Sequence, residues 1–350
     1  MSIQFMDNFQ CYGSSTTNML DGLPWSVITG SLATDPDPTA SGRVLRLSSS
    51  NSNSNITDTR LSLPSHTDVV GVGFRYFMNN LPVGSGYRSS ILAYRDFYNE
   101  KIYDWLIETN GALSLYDTKS GATLIATTGN PVIMPKSWFH FEFRVDLATG
   151  TYEARIEGVT VLSGTGLTHL EDVYSLGFTS RQNLFTNDSA QNYMKDFLVW
   201  DGSGSNNNSF AGPVGIFLLR VDGDVSSGWS RSSGSTDFGL LNETTPDDAS
   251  YIYAGDAPPS ASIMTLENLP ADIVAVRALQ TVARSKKSDG GEARLQISLL
   301  SNGDEDLGAD HSITTAFKYW WDISELDPDT GTLWNPIAVN SATIKVNRTI

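Results

Sequence analysis

A nine-residue segment, Trp138 to Asp146, constrains the fold of this chain more than any other part of its sequence. Apolar and polar side chains alternate along it, which is the period of a β-strand that buries one face. The apolar face consists of Phe139, Phe141, Phe143 and Val145. The opposite face consists of Trp138, His140, Glu142 and Arg144. A helix would turn successive phenylalanines to different sides, so the pattern predicts a strand lying on an aromatic core.

Turn signals follow this strand and recur along the chain. The sequence Ala148-Thr-Gly150 predicts a turn into a return strand at 151–157, and Asn110-Gly111 predicts a hairpin turn of the primed type. Further strands are predicted at 69–78, 104–108, 112–116, 159–162, 193–200, 215–221, 250–253, 293–300 and 343–346. Many short strands with few helices indicate an all-β fold of β-sandwiches or jelly rolls.

Three other segments are less regular. Residues 273–284 contain Ala, Leu, Gln and Arg, which permit a helix, but Val274, Val276 and Val282 share the period of a strand. The strand is favoured because the neighbouring segments are strands. A short helix is predicted near 316–321 or near 337–340.

The length and one polar segment predict two domains. A chain of 350 residues is longer than most single compact cores. The Gly/Ser/Asn-rich segment 201–209 reads as a linker, which gives a concanavalin-like jelly-roll β-sandwich at 1–203 and a second β-sandwich domain at 210–350. We expect the halves to separate near Asn206 and a fragment of residues 1–203 to fold alone. The Ser/Asn run at 48–55 is predicted to be a surface loop of the first domain.

Charge and cysteine content exclude several kinds of partner. The formal net charge is −16, and such an acidic surface repels nucleic acid and anionic membranes. No segment approaches the 18 apolar residues of a membrane helix, and the first ten residues lack the pattern of a signal peptide. The single cysteine, Cys11, rules out an internal disulfide.

The residues that usually perform chemistry do not form a recognisable motif. The four histidines, His66, His140, His169 and His311, share no metal-ligand spacing. His140, on an alternating strand, is expected to be a half-buried packing residue. Glu142 and Asp146 are the nearest match to a glycosidase carboxylate pair, but Arg144 between them would hold one carboxylate ionised, which is wrong for a general acid. The sequence therefore predicts no catalytic, cofactor-binding or metal-binding residue, and no enzyme activity.

Two acidic turns and one aromatic run leave alternatives open. The turns at 304–310 and 327–331 alternate carboxylates with a glycine, which suits calcium, although ordinary solvated turns fit them better because the ligand sets are incomplete. We expect no divalent metal to be needed for folding. In Tyr319-Trp320-Trp321 the two tryptophans would point to opposite faces of a strand, so one of them is a candidate for a surface contact.

The first half resembles concanavalin-like, or laminin-G-like, jelly rolls. The resemblance rests on the strand 138–146, the turn and strand 149–156, and the closing segment Asp196-Phe-Leu-Val-Trp-Asp201. It covers roughly residues 60–201 and implies the fold. It says little about a ligand, because the calcium and sugar residues of lectins cannot be mapped onto this sequence.

The whole chain is also similar to virion structural proteins of tailed bacteriophages. The similarity lies in the start Phe5-Met-Asp-Asn-Phe-Gln-Cys-Tyr-Gly13, in Val199-Trp-Asp-Gly-Ser-Gly204, and in the endings at 326–334 and 339–346. It implies a head-decoration, tail or tail-appendage protein, made in a host cytoplasm and located in the virion. Its partners would be other virion proteins and copies of itself in a homo-oligomer, with no nucleic acid, membrane or cofactor.

Two other functions remain in view beside that of a virion protein. The first alternative is a carbohydrate-binding module that adsorbs to host-surface glycans. A glycan hydrolase or lyase is the third hypothesis, and the missing carboxylate constellation disfavours it. A concave face with exposed aromatic side chains would favour sugar binding, whereas a flat apolar patch between copies would favour assembly.

Overall fold

The computed structural model describes residues 3–12, 20, 22–29, 32–40, 42–48, 57–82, 88–169, 171–180, 191–255 and 260–350. They form mainly antiparallel sheets and turns, which confirms the predicted all-β fold. None of the described helices is long and apolar enough to cross a membrane. The chain divides into two compact units, one reaching to Ile216 and the other running from Phe217 to Ile350. The described residues between Phe9 and Pro24 group with the second unit.

Unit 1 is a β-sandwich with the jelly-roll architecture that the sequence predicts. Its strands are β1 (Ile3–Asp7), β2 (Trp25–Thr29), β3 (Leu32–Pro36), β4 (Arg43–Ser48), β5 (Thr57–Thr67), β6 (Val69–Met78), β7 (Arg88–Arg95), β8 (Lys101–Glu108), β9 (Leu113–Asp117), β10 (Thr123–Thr127), β11 (Trp138–Asp146), β12 (Thr151–Ile156), β13 (Val159–Thr165), β14 (Val173–Ser180) and β15 (Gln191–Asp201). The first sheet has the order β13-β12-β11-β6-β15-β4-β3, with β1 also pairing with β15. The second has the order β10-β9-β8-β7-β14-β5-β2.

Aromatic side chains hold the two sheets of unit 1 together. Phe143 of β11 meets Trp105 of β8 with ring centroids 5.0 Å apart. Phe74 of β6 meets Phe178 of β14 at 5.8 Å. All four side chains are buried, and each contributes roughly 2–3 kcal/mol by leaving water. The alternation along β11 thus does what the sequence predicts, since its phenylalanines fill the space between the sheets.

Unit 2 is built from a larger sheet, two strand pairs and a helix. Its strands are β16 (Val221–Ser227), β17 (Ser230–Arg231), β18 (Ile252–Tyr253), β19 (Ser260–Leu266), β20 (Leu279–Ser285), β21 (Arg294–Ser301), β22 (Asp304–Asp306), β23 (Asp310–Ser312), β24 (Lys318–Ser324) and β25 (Thr343–Arg348). The larger sheet has the order β16-β19-β25-β21-β22, with β23 on β21, and the pairs are β17-β18 and β20-β24. Its core includes Met264, Leu295, Ile297, Ile313 and Val346.

The helix α1 (Pro336–Ser341) confirms the predicted helix near 337–340. It begins where the Asn335 side chain accepts the Ile337 and Ala338 N–H groups at 3.0 and 3.1 Å, and proline occupies its first position. The alternative position at 316–321 is wrong, because β24 begins at Lys318 and pairs with β20.

Other boundaries in unit 2 also differ from the predictions. The strand preference for 273–284 is confirmed only from Leu279 onward, where β20 begins. The strand predicted at 215–221 is wrong up to Arg220, since the first ladder partner of this region is Val221. At 250–253 only Ile252 and Tyr253 are paired. Of the surface loop predicted at 48–55, Ser48 is the last residue of β4, and residues 49–55 lie outside the described residues.

Residues 202–216, here called the strap, pack against the outer face of the β11-containing sheet. The Phe210 ring lies edge-on to Trp200 at 5.9 Å, and the Arg155 guanidinium lies 3.8 Å above the Phe210 ring. The Gly212 N–H donates to Glu142 Oε1 at 2.9 Å. The strap therefore belongs to unit 1, and much of the predicted linker is part of it.

The strap contacts make the end point of a unit 1 fragment testable. We expect a fragment of residues 1–203 to be less stable than one of residues 1–216 by about 3 kcal/mol. Loss of the Gly212 donor leaves a buried carboxylate short of a hydrogen bond, which costs roughly 1–3 kcal/mol, and loss of Phe210 uncovers Trp200. Urea unfolding followed by fluorescence measures the difference. A fragment of residues 1–209 is the control and should match 1–203, whereas equal stability of all three would show that the strap contributes nothing.

Candidate functional site

Two large aromatic side chains project from the turn between β7 and β8. Phe97 is 70% exposed and Tyr98 is 81% exposed. Their rings meet edge-on at 5.5 Å, and Phe97 also contacts the half-buried Tyr174 of β14 at 5.3 Å. These three residues are called the aromatic platform below. Side chains of this size are usually covered in a folded protein, so an exposed group of them indicates a contact surface.

The turn that carries the platform is fixed by its own hydrogen bonds. The Asp96 N–H donates to the Glu100 carbonyl at 3.0 Å, and the Glu100 N–H donates back to Asp96 Oδ1 at 2.9 Å. Asn99 has a φ of 66°, in the left-handed region that asparagine tolerates. Its carbonyl accepts from Arg95 Nη1 at 3.0 Å. The platform is thus held in one position before any partner arrives, which lowers the entropy that binding would cost.

A lysine that binds two carboxylates, one of them in the turn, also stabilises the same turn. Lys119 Nζ donates to Asp96 Oδ2 and to Glu171 Oε1, each at 3.0 Å. These bonds raise the pKa of Lys119, and the bond from Lys119 lowers the pKa of Glu171. Burial alone would raise the pKa of Asp96, but the Lys119 ammonium and the Glu100 N–H hold it below its ordinary value. All three side chains are therefore charged at neutral pH.

A second polar network extends the site along the ends of β8 and β9. His169 Nε2 lies 3.2 Å from Asp117 Oδ2 and 2.9 Å from Ser120 Oγ. The backbone N–H of His169 donates to the Tyr103 hydroxyl at 2.7 Å. Burial would raise the pKa of Asp117, but the Ser120 N–H and hydroxyl and the His169 ring keep it low. The network offers hydroxyl, imidazole and carboxylate groups in fixed positions.

The carboxylates considered for glycosidase chemistry lie elsewhere and are covered. Glu142 is buried beneath the strap, where it accepts from Gly212. Asp146 is buried too and binds Arg144 Nη2 at 3.0 Å, the pairing that the sequence predicts for one of the two. A substrate has no access to Glu142 while the strap is in place. Absence of enzyme activity stays a prediction.

The histidines are dispersed, and one of them corrects a sequence interpretation. His140 is not half-buried as expected, because its side chain is only 1% exposed on the outer face of the sheet. Its two ring nitrogens have no hydrogen-bond partner among the described residues. His311 Nε2 lies 2.9 Å from Asp322 in unit 2, and His169 belongs to the network above. The side chain of His66 lies outside the described residues.

The acidic turns use their carboxylates internally. Asp327 Oδ1 accepts the Asp329 N–H at 3.1 Å, and its Oδ2 accepts the Thr330 hydroxyl at 3.2 Å. Asp310 pairs with Arg294 at 3.0 Å. Within the part of the chain that the structure describes, no three His, Cys, Asp or Glu side chains are grouped as metal ligands would be.

Chelation is expected to leave the melting temperature unchanged within about 1 °C. The turn at 327–331 is already closed by its own hydrogen bonds, and stabilisation by a bound ion grows with site occupancy. Thermal unfolding with millimolar EDTA, and with excess calcium as the control, measures this. A fall of several degrees in EDTA that calcium reverses would identify a metal site.

Sequence reasoning missed the aromatic platform and selected Trp320 and Trp321 instead. Both tryptophans are half-buried, and the Trp320 ring packs 5.3 Å from His311. The signal for the platform is the sequence Asp96-Phe-Tyr-Asn-Glu100, in which two aromatics sit inside a polar turn between two strands. Aromatic side chains in a polar turn between two strands do not pack in the core. Their position in the sequence therefore already indicated an exposed contact site.

The chain matches no protein-family profile and no curated protein sequence. Solved structures match it in part. Domain 4 of AbnA, a GH43 extracellular arabinanase from Geobacillus stearothermophilus in complex with arabinotriose, has 18% identity and a TM-score of 0.37 over 57% of this chain and 92% of its own. The carbohydrate-binding module CBM66 from Bacillus subtilis has 11% identity and a TM-score of 0.35 over 51% and 97%. A sialidase has 12% identity and a TM-score of 0.41 over 57% of this chain.

These similarities concern architecture alone. The chain spans only 18% of the sialidase, and all three identities are low. The three TM-scores, between 0.35 and 0.41, are low as well. The virion role predicted from the sequence stays a prediction, and the side chains of the platform have to carry any functional conclusion.

Proposed function

We propose that this protein binds a glycan through the aromatic platform. The observation that carries the proposal is the exposure of Phe97 and Tyr98 on a turn fixed by hydrogen bonds and by the Lys119 ion pairs. Sugars present apolar C–H faces between rings of hydroxyl groups, and aromatic side chains beside polar groups complement both parts. A protein anchor would also cover these rings. The surrounding network of hydroxyl, imidazole and carboxylate groups favours a polyhydroxyl ligand.

The size of the platform implies weak binding at each site. Covering the rings of Phe97 and Tyr98 would contribute about 3–4 kcal/mol by area. Association also costs translational and rotational freedom, so a single contact of this size has a dissociation constant of about 1 mM or weaker. Useful adhesion would then need a repeating ligand or several copies of the protein, because linked weak contacts gain avidity. Polysaccharides supply such repeats.

Single substitutions at the platform test the proposal. Binding to a glycan array and to soluble polysaccharides by affinity electrophoresis is expected to fall about tenfold or more for Phe97→Ala or Tyr98→Ala, since each removes most of a stacking face. Both variants should keep the wild-type melting temperature because the two rings are exposed. The matched control is Tyr253→Ala, a half-exposed tyrosine of unit 2, which should bind like wild type. Unchanged binding in the platform variants, or loss in Tyr253→Ala, would remove the platform from the function.

The virion role is compatible with this proposal and is tested separately. It rests on the similarity of the chain's start and end to phage structural proteins, and it implies copies of the protein arranged on a particle. Such an arrangement would give the avidity that a weak site needs. Mass spectrometry and electron microscopy of purified particles would locate the protein. Its absence from particles would end the virion interpretation and leave the glycan site unaffected.

We also propose that binding occurs without turnover. Asp96, Glu171 and Asp117 are tied to Lys119 and Ser120, and Glu142 lies under the strap. Incubation with each bound polysaccharide should release no reducing ends or unsaturated products. Cleavage that disappears in Glu142→Gln would show that the strap opens and that the protein is an enzyme.

A further inference from the structure

We propose that the aromatic platform accepts neutral or amine-bearing glycans and rejects anionic ones, such as uronate, sialylated or sulfated chains. This inference rests on the proposed function and names the ligand class of that site. It follows from the charges that surround the rings, which are mostly carboxylates.

The cations beside the platform are already engaged. Lys119 is held between Asp96 and Glu171, with both contacts at 3.0 Å. Lys101, which follows the platform turn, donates to Asp104 at 2.7 Å. A carboxylate or sulfate on a sugar would have to displace one of these partners to reach an ammonium group. The displaced protein carboxylate would then be left uncompensated.

The anions beside the platform are more accessible. The Glu171 side chain is 49% exposed, although it binds Lys119. Glu100, in the platform turn itself, is exposed as well. The pKa values of Asp96, Asp117 and Glu171 all lie below their ordinary values, so these groups are ionised at neutral pH. An anionic sugar would meet like charge over a chain whose formal net charge is −16.

The same carboxylates suit uncharged and cationic sugars. An ionised carboxylate accepts hydrogen bonds from hydroxyl groups, and it attracts an ammonium group more strongly. Glu100, in the platform turn, and Glu171, which shares Lys119 with Asp96, therefore serve as acceptors beside the platform. Repulsion by these carboxylates would select against anionic glycans, and stacking on the aromatic rings would select for neutral ones. Specific sites usually combine attraction to one ligand with repulsion of another.

Charge-matched ligands test the inference on the full-length protein. The probes are galacturonan, fully methyl-esterified or de-esterified, and chitin and chitosan hexamers, together with an array of neutral, sialylated and sulfated glycans. Bound glycans should be neutral or amine-bearing, and each anionic counterpart should bind at least fivefold more weakly in low salt. That difference should shrink as salt is raised.

A charge reversal at the platform sharpens the test. Glu171→Lys is expected to increase binding of anionic glycans about fivefold or more. The control is Glu292→Lys, which reverses an exposed, arginine-paired glutamate of unit 2 and should change nothing. Preferential binding of anionic glycans by the wild type, lost in Tyr98→Ala, would overturn the charge inference while keeping the glycan site. Binding of no glycan of any class would overturn the proposed function and this inference with it.

Discussion

Replacing Gly71 with alanine is expected to destabilise the protein by about 3 kcal/mol. A β-carbon at this position of β6 would lie 2.0 Å from Trp200 Cε2 and 2.3 Å from its Nε1. Trp200 is buried, and Phe210 of the strap packs against it, so the indole has no free direction in which to move. Overpacking of this kind costs typically 1–3 kcal/mol, and more where the neighbour cannot shift.

The same strand supplies the control for that substitution. At Gly73 a β-carbon would lie 3.5 Å from Trp200 Cζ3 and 3.7 Å from Glu142 Cγ, which is ordinary contact. Gly73→Ala should therefore change the free energy of unfolding by less than about 1 kcal/mol. In a Trp200→Leu background, Gly71→Ala should lose most of its cost, because the obstructing ring is gone. The measurement is the free energy of unfolding in urea for Gly71→Ala, Gly73→Ala, Trp200→Leu and the double variant of Gly71→Ala with Trp200→Leu. Equal destabilisation by Gly71→Ala and Gly73→Ala would contradict the packing described here.

Lowering the pH from 7 to 4 is expected to remove roughly 3 kcal/mol of stability through His140 alone. Burial, and secondarily the Arg75 charge, lower the pKa of this imidazole to about 4. An unfolded histidine titrates near 6.5, so between these values the unfolded state takes up a proton that the folded state does not. Stability is fully present above pH 6.5 and is lost progressively down to about pH 4.

Non-titrating substitutions isolate this effect from the carboxylates that titrate in the same range. His140→Phe and His140→Leu should lose about 3 kcal/mol less than wild type between pH 7 and pH 4. Both ring nitrogens lack described partners, so an apolar side chain should also cost little at pH 7. Urea midpoints at pH 7, 5.5 and 4.5 give the comparison. Parallel curves for wild type and both variants would show that His140 takes up its proton in the folded state at an ordinary pH.

Sequence reasoning succeeded where one period dominates the local pattern. The predicted bounds of the strands at 69–78 and 138–146 coincide with those of β6 and β11, because alternation, β-branched and aromatic residues and flanking turns all agree there. It failed at 215–220, where an apolar segment begins in the last two residues of the strap and has no ladder partner before Val221. Hydrophobicity alone cannot tell a paired strand from an unpaired extended segment.

The candidate site was harder to predict because its properties depend on distant residues. Glu142 and His140 alternate with the core phenylalanines, so the sequence places them on the outer face of the strand and does not predict their full burial. Glu142 is buried because the strap, about 70 residues further along the chain, covers it, as the bond between Gly212 and Glu142 shows. The exposure of Phe97 and Tyr98 depends likewise on a turn held by Lys119 and Glu171. Local patterns contain neither relationship.

The short N-terminal segment that groups with unit 2 affects when the two units can be completed during synthesis. Gln10 and Tyr12 lie between two parts of unit 1, yet the Tyr12 ring packs edge-on against Tyr319 at 5.5 Å. Ribosomes add roughly 5–20 residues per second, so Tyr12 leaves the ribosome some tens of seconds before Tyr319 does. During that interval the first sandwich can form, although Tyr319, against which Tyr12 packs in the finished protein, has not yet been synthesised. The N-terminal segment of the second unit is therefore made long before Tyr319, and that unit can be completed only after the strand that carries Tyr319 has been synthesised.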